Sequence, residues 1–288
     1  MPSGRTLPLA LTLALTLALT LTLALTLTLL SLALLTLLTL LTLLALLTLL
    51  ALLTLLALLA LLTNTKETLV GYTNDDVDFL QRRDVKLIVV ACGTVSSNVP
   101  ANQIKNLSVP YIDVISPTIS AAVKATKNKK IGIIATPATI KSGSFEQRLK
   151  MFDKDIETVS NGCPQLVTLV QDGYIDEDNF VTNNVCREYL APIKAFGVDT
   201  LILGCTHFPI ISKIIQNIMG DDVKLIDAGY ETALEVKKVL KTLNLERTKP
   251  RDLVKYYVTS EPENFDQVAN IFLGDGSNAK AILRDIKD

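Results

Sequence analysis

The segment TLILGCTHFPII, residues 200–211, joins a short apolar run to the single histidine of the chain. Residues 201–203 are apolar and partly β-branched, a pattern that predicts a buried strand. Gly204 breaks this run and allows a sharp turn, and Pro209 fits the first turn of a following helix. Ligands of open α/β sheets bind beyond the carboxyl ends of the strands. The Cys-Thr-His triplet at 205–207 therefore lies where a site is expected, although a buried cysteine and a turn histidine would fit the same pattern.

A second segment, VKLIVVACGTVSS at residues 85–97, repeats this arrangement. It also combines an apolar strand pattern with a small residue, a cysteine and a nearby threonine. Cys92 and Thr94 follow this strand much as Cys205 and Thr206 follow the other. Since ligands of open α/β sheets bind beyond the carboxyl ends of the strands, two such strand ends predict two thiols that face one cleft.

The two remaining cysteines, Cys163 and Cys186, are not predicted to end strands. The chain contains no CxxC pair and no second histidine, so a common zinc site is not expected. A structural disulfide is not expected either, because the rest of the sequence has the character of an intracellular α/β enzyme.

Composition divides the 288-residue chain into two unlike parts. Residues 7–63 consist almost wholly of Leu, Thr and Ala, and no charged residue lies between positions 6 and 65. Uncharged apolar runs longer than about 18 residues are typical of membrane helices, but this tract lacks the hinges, aromatic belts and charged loops of real spans. We interpret it as a low-complexity artefact in preference to a membrane anchor. The net charge of −1, without a basic cluster, speaks against nucleic-acid binding.

Beyond residue 66 the sequence alternates between strand and helix patterns, which predicts parallel sheets. Besides the two segments above, strand patterns cover residues 109–115, 129–136, 165–171, 223–229 and the first part of 253–274. Residues 137–152 are predicted as a loop followed by a helix. Helical patterns also cover residues 75–83, 120–126 with Ser120 as a cap, 183–197, 210–219, 230–245 and the remainder of 253–274.

Five segments of this part resemble the glutamate racemases, in order and in spacing, across residues 73–274. They are LIVVACGT, KKIGIIATPATIKSGSF, DTLILGCTHFPII, LIDAG and YYVTSEPENF. The Cys-Thr-His-Phe-Pro segment is the most specific of them. The resemblance implies a cofactor-independent cytoplasmic enzyme that interconverts L- and D-glutamate and supplies D-glutamate for peptidoglycan. A homodimer is compatible with the resemblance. Nucleic acid is not expected as a partner, and association with a membrane is expected only if the tract is genuine.

Two cysteines suit the chemistry of racemisation. An α-proton next to a carboxylate is hard to remove, and inversion needs a base on one face of the substrate and an acid on the other. A thiolate and a thiol can exchange these roles, provided that the pKa of the thiolate is lowered. The resemblance implies that Cys92 and Cys205 are these two groups and that His207 assists Cys205. The substrate-binding positions that it implies are Gly93, Thr94, Thr136 and Thr206.

The same resemblance implies an α/β fold of two parallel-sheet domains with the site in the cleft between them. Residues 93–204 form the predicted second domain. Residues 66–92 together with residues 205–288 form a first domain that lacks its opening strands. Residues 1–65 contain the Leu/Thr/Ala tract.

Two alternative hypotheses remain open, and departures from the family favour the first of them. The Asp-Ser-Gly loop and the Pro-Tyr-Gly segment of the family are replaced by the tract, and Gly93 and Gln171 stand where the family has an asparagine and a carboxylate. The first alternative is a catalytically impaired binding protein on the racemase fold, anchored to a membrane if the tract is genuine. The second is a hydrolase that uses Cys205 and His207, which leaves Cys92 unexplained.

Overall fold

The computed structural model describes residues 66–247, 254–273 and 279–285. The predicted tract at residues 7–63 lies outside the described residues. The strands are β1 (Ile88–Val90), β2 (Tyr111–Asp113), β3 (Lys130–Ala135), β4 (Glu157–Gly162), β5 (Thr200–Leu203), β6 (Lys224–Asp227), β7 (Tyr256–Val258) and β8 (Ala281–Leu283). The α-helices are α1 (Lys66–Gln81), α2 (Gly93–Asn98), α3 (Ile115–Ala125), α4 (Pro137–Ser142), α5 (Ser144–Phe152), α6 (Pro164–Gln171), α7 (Phe180–Phe196), α8 (Ser212–Met219), α9 (Ala228–Thr242) and α10 (Pro262–Leu273). Short 3₁₀ turns occupy Ala101–Gln103 and Phe208–Ile211.

Every strand pairing among the described residues is parallel, so the prediction of parallel α/β layers is confirmed. The largest sheet has four strands in the order β4-β3-β5-β6. Strands β1 and β2 form one separate pair, and β7 and β8 form another. In a parallel sheet all carboxyl ends lie at the same edge, which brings the segments that follow β3 and β5 together.

The four-stranded sheet is covered by apolar side chains on both faces. Leu201 and Leu203 of β5 point into a core that includes residues of α6, α7 and α8. Ile202, between them, points into the opposite core, which includes residues of α3 and α5. Because both faces are buried, β5 is a continuous apolar run and not an alternating one, as expected for a central parallel strand.

A third apolar cluster surrounds β1. Ile88 of this strand packs with Val77 of α1 and with Val99 and Ile104, which follow α2. Helix α1 also reaches β7, because the Phe79 and Tyr257 rings meet edge to face with centroids 5.2 Å apart. The apolar contacts of Ile88 fix β1, the strand that precedes Cys92.

Residues 165–171 form a helix, so the strand predicted there is wrong. Pro164 occupies the first turn of α6, where its missing N–H costs nothing. Leu166 and Val170 are buried while Thr168 between them is exposed, which is helical spacing. A short apolar run of this length fits a buried strand and a buried helix equally well.

Two strands, β4 and β8, are absent from the sequence prediction, and β4 corrects the placement of Cys163. This strand is an edge strand of polar and small residues, ETVSNG, and lacks the apolar signature of the central strands. Cys163 directly follows it, so the expectation that Cys163 does not end a strand is wrong.

The predicted Ser120 cap is also wrong. Helix α3 begins five residues earlier, at Ile115. The Asp113 carboxylate accepts hydrogen bonds from the backbone N–H groups of Ile115 at 2.8 Å and Ser116 at 2.9 Å. This carboxylate satisfies the free donors of the first turn, so the helix has no need of a cap at Ser120.

Within the described ranges, no helix combines the length and apolar character that a membrane crossing requires. The predicted division at residues 93 and 204 into two racemase domains stays a prediction.

The helical assignment of α6 predicts that two aspartate substitutions differ strongly in their effect on the free energy of unfolding. Val170→Asp places an unpaired charge in the core and should lower the free energy of unfolding by about 3 kcal/mol or more. Thr168→Asp changes an exposed position and should alter it by no more than about 0.5 kcal/mol. Urea unfolding of both variants measures the difference. Equal losses would contradict the helix, since positions 168 and 170 share a face only in a strand.

Candidate active site

The segments that follow β1 and β5 touch through two glycines. A Cβ atom on Gly93 would lie 2.5 Å from the carbonyl oxygen of Gly204, a distance that real Cβ atoms essentially never reach. Only a residue without a side chain therefore allows this approach. Cys92 precedes one of these glycines and Cys205 follows the other, so the contact joins the segments that carry both cysteines.

Cys205 is buried just beyond β5 and lies near hydrogen-bond donors of Thr206 and His207. Burial raises the pKa of its thiol, and the nearby Cys92 raises it further. The backbone N–H of His207, and the hydroxyl and backbone of Thr206, act in the opposite direction by stabilising the thiolate. The His207 Nδ1 atom lies 3.6 Å from the Cys205 Sγ atom. The site thus compensates in part for removing a thiolate from water.

His207 links Cys205 to a neighbouring helix. Its Nε2 atom lies 3.1 Å from the side-chain nitrogen of Gln171, the last residue of α6. Its ring also meets the Phe272 ring edge to face, with centroids 5.6 Å apart. Burial lowers the pKa of His207, because the imidazolium form would lose hydration. This effect favours the neutral ring, which can donate from one nitrogen only.

Three threonine hydroxyls form a closed cluster near Cys92. The Thr94 hydroxyl lies 2.9 Å from that of Thr136 and 3.3 Å from that of Thr139, and the last two are 2.9 Å apart. Thr136 also caps α4 by accepting from the Thr139 backbone N–H. Because each hydroxyl can donate and accept, the cluster can reorient its protons toward a charged group.

Thr139 is the member of this cluster that the sequence reasoning missed. The signal was present, since a threonine three residues after a helix-capping threonine lies at the same end of the helix. The side chain is buried, and its hydroxyl meets those of Thr94 and Thr136.

The four cysteines fall into two groups. Cys92 is exposed, and Cys205 is buried but borders the donors described above. Cys163 and Cys186 are fully buried, and burial raises the pKa of each to about 12. At neutral pH the last two are therefore thiols that pack as small apolar groups.

A cavity of about 410 Å³ opens beside Cys92. It lies between β1 and β7, and its polar lining includes Lys255, Thr259 and Arg284. Cys205 lies outside its lining. In the part of the chain that the structure describes, no group of three His, Cys, Asp or Glu side chains is arranged to hold a metal ion.

The seven residues predicted for the site all lie just beyond strand ends. Cys92, Gly93 and Thr94 follow β1, Thr136 follows β3, and the triplet at 205–207 follows β5. Gly93 contributes its backbone to the contact with Gly204 and has no space for a side chain. Thr206 is exposed, and its hydroxyl lies 3.4 Å from His207 Nδ1. The roles of these residues in substrate binding and proton transfer stay predictions.

Comparison with known proteins identifies the class. The model of the Asp/Glu/Hydantoin racemase family matches residues 60–235, and the chain belongs to this family. Among its relatives are proteins named glutamate racemase. The one from Geobacter metallireducens is 37% identical over 213 residues, which cover 74% of this chain and 78% of the relative. The one from Enterococcus faecalis is 39% identical over 211 residues, which cover 72% of this chain and 76% of the relative.

Solved glutamate racemases share the fold. An isoform from Bacillus anthracis matches with a TM-score of 0.72 and 31% identity, covering 78% of this chain and 83% of the other. The enzyme from Francisella tularensis, crystallised in complex with D-glutamate, matches with a TM-score of 0.69 and 29% identity. The match covers 78% of this chain and 82% of the Francisella chain. The prediction of two α/β domains of the glutamate racemase type is confirmed by these structures.

The glycine contact predicts that Gly93→Ala is destabilising. The added methyl group must displace the Gly204 backbone, so the free energy of unfolding should fall by about 1–3 kcal/mol. Gly71→Ala is the matched control, because Gly71 lies exposed in α1 with nothing near its Cβ position. That change should raise stability by about 0.5–1 kcal/mol. A Gly93→Ala variant as stable as the control in urea unfolding would exclude the close contact.

The double role of Thr136 predicts a graded response to substitution. Thr136→Ala removes both the α4 cap and one member of the hydroxyl cluster, and should cost about 1–2 kcal/mol. Thr136→Ser keeps the hydroxyl, so its loss in the free energy of unfolding should be less than half that of Thr136→Ala. Thermal unfolding of the two variants measures the difference, and equal losses would show that the methyl group, not the hydroxyl, stabilises the site.

Proposed function

We propose that this chain interconverts L- and D-glutamate by proton transfer through two cysteines. The observation that carries the proposal is the contact between Gly93 and Gly204, since it joins the segments that bear Cys92 and Cys205. Membership of the racemase family and relatives named glutamate racemase over most of the chain support the choice of reaction and substrate.

The reaction consists of two proton transfers with no change in oxidation state. One cysteine, as thiolate, removes the α-proton of glutamate and becomes a thiol. The other, as thiol, gives its proton to the opposite face of the planar carbanion and becomes a thiolate. The reverse reaction exchanges these roles, so each cysteine serves as base for one enantiomer.

The environment of Cys205 supports its part in this cycle. Burial favours the thiol, and the donors from Thr206 and His207 favour the thiolate. Two opposed effects of this kind bring the protonated and ionised forms closer in free energy, which is what a group that must both donate and accept a proton requires. The neutral His207 ring adds one hydrogen bond to the sulfur without adding a charge.

The threonine cluster supports a place for the polar ends of the substrate. Thr94 and Thr136 lie beside Cys92 and β3, and their hydroxyls can turn toward a carboxylate or an ammonium group. Thr206 adds an exposed hydroxyl from the side of Cys205. The Gly93 backbone completes the set of predicted substrate contacts.

Three further aspects rest on the sequence resemblance and stay predictions. They are the cytoplasmic place of action, the supply of D-glutamate for peptidoglycan, and a homodimer. The division of the chain at residues 93 and 204 into two domains belongs with them.

Deuterium incorporation tests the two-base reaction. In deuterated water, the full chain should convert either enantiomer of glutamate with deuterium at the α-position of the product, because the donating thiol exchanges with solvent. Cys92→Ser and Cys205→Ser should each lower racemisation by about 100-fold or more, since a hydroxyl is a much weaker acid than a thiol. Cys186→Ala, which removes a cysteine from the apolar core, is the control and should keep turnover.

A chlorinated substrate separates the two cysteines. Elimination of HCl from 3-chloroglutamate needs one base only, so each serine variant should consume one enantiomer, and the two variants should choose opposite ones. Consumption of the same enantiomer by both would contradict facing thiols. Absence of exchange and turnover in the unmodified chain would favour the impaired binding protein.

A further inference from the structure

The side-chain amide of Gln171 determines which nitrogen of His207 can accept a hydrogen bond. The Gln171 Nε2 atom lies 3.1 Å from His207 Nε2. An amide nitrogen has two N–H donors and no accepting lone pair, so the imidazole nitrogen that it meets must be unprotonated. Gln171 is exposed at the end of α6, and its amide is held toward the ring by this contact.

The proton of the neutral ring is then on Nδ1. This atom lies 3.6 Å from the Cys205 sulfur and 3.4 Å from the Thr206 hydroxyl. A protonated Nδ1 can donate to a thiolate, whereas an unprotonated Nδ1 would instead accept from a thiol S–H. The tautomer therefore decides which form of Cys205 the histidine stabilises.

We propose that Gln171 is a positioning residue that holds His207 in the Nδ1–H tautomer, so that the ring donates to Cys205 and favours its thiolate. This deepens the proposed function and rests on it for the role of Cys205 as a base. The hydrogen-bond geometry itself does not depend on any reaction. Gln171 acts through His207 and does not contact the reacting cysteine.

The single histidine of the chain makes the tautomer directly measurable. Full-length protein labelled with ¹⁵N-histidine gives one pair of ring nitrogens, and long-range ¹H–¹⁵N correlation shows which of them carries the proton. The spectrum is recorded without substrate, above the ordinary histidine pKa of about 6.5. We expect a protonated Nδ1 and an unprotonated Nε2.

Two glutamate substitutions on the same helix provide the contrast. In Gln171→Glu the carboxylate can only accept, so His207 Nε2 should become protonated. Gln165→Glu adds the same charge to α6 but faces Tyr189, whose hydroxyl donates to the Gln165 side-chain oxygen at 3.2 Å. This control should keep the pattern of the unmodified chain. A proton on Nε2 in the unmodified chain, or an unchanged pattern in Gln171→Glu, would overturn the proposal.

Kinetics provide a second readout that a purely structural role would not produce. Gln171→Met removes the donor at similar volume and should lower kcat for glutamate about fivefold, the effect of one ordinary hydrogen bond, with KM unchanged. A rise in KM with kcat unchanged would mean that Gln171 binds substrate, and would overturn its role as a positioning residue. If the unmodified chain does not racemise glutamate, the proposed function fails, while the NMR measurement still decides the tautomer.

Discussion

The approach of the Gly93 backbone to the Gly204 carbonyl is the contact on which the rest of the site depends. Strands β1 and β5 belong to different sheets, and no ladder of hydrogen bonds joins them. Their carboxyl ends are joined through backbone atoms at van der Waals range, a distance that any Cβ would prevent. The cores around β1 and on both faces of β5 hold the two strands in place, and the missing side chain of Gly93 allows the close approach.

This constraint explains why an asparagine at position 93 would not simply restore a missing amide. In this chain, a larger residue must move the Gly204 carbonyl, and Cys205 follows that carbonyl directly in sequence. A repair of the binding contacts at Gly93 is therefore coupled to the position of the second thiol.

The predictable parts of the fold are those whose environment is reflected in their own residues. Strands β3 and β5 are buried on both faces, so their apolar runs identify them. Strand β4 lies at an edge and is polar, so the sequence predicts no strand there, and α6 is too short for its period to be recognised, so the sequence predicts a strand in its place. The two differences are linked, because the prediction contains one strand in this region, at residues 165–171, whereas the real strand is β4, which directly precedes α6.

The same distinction holds for the site. The pattern of a strand followed by a cysteine occurs twice and can be recognised within each segment alone. It therefore predicts from the sequence that the Cys92 and Cys205 thiols face one cleft. The contact between Gln171 and His207 joins positions 36 residues apart, through the packing of α6 beside the turn that follows β5. No pattern in either segment encodes that packing, so only the folded chain displays it.

The four cysteines differ in solvent exposure, so their reaction with a thiol reagent reports local unfolding of the chain. Cys92 meets solvent in the folded state, whereas Cys163, Cys186 and Cys205 are enclosed by packed side chains. A thiol reagent in water thus reaches one sulfur first, and reaches the others at rates set by how often their surroundings loosen. The order in which the sulfurs become labelled ranks the local stabilities of α6, α7 and the end of β5 without any introduced probe.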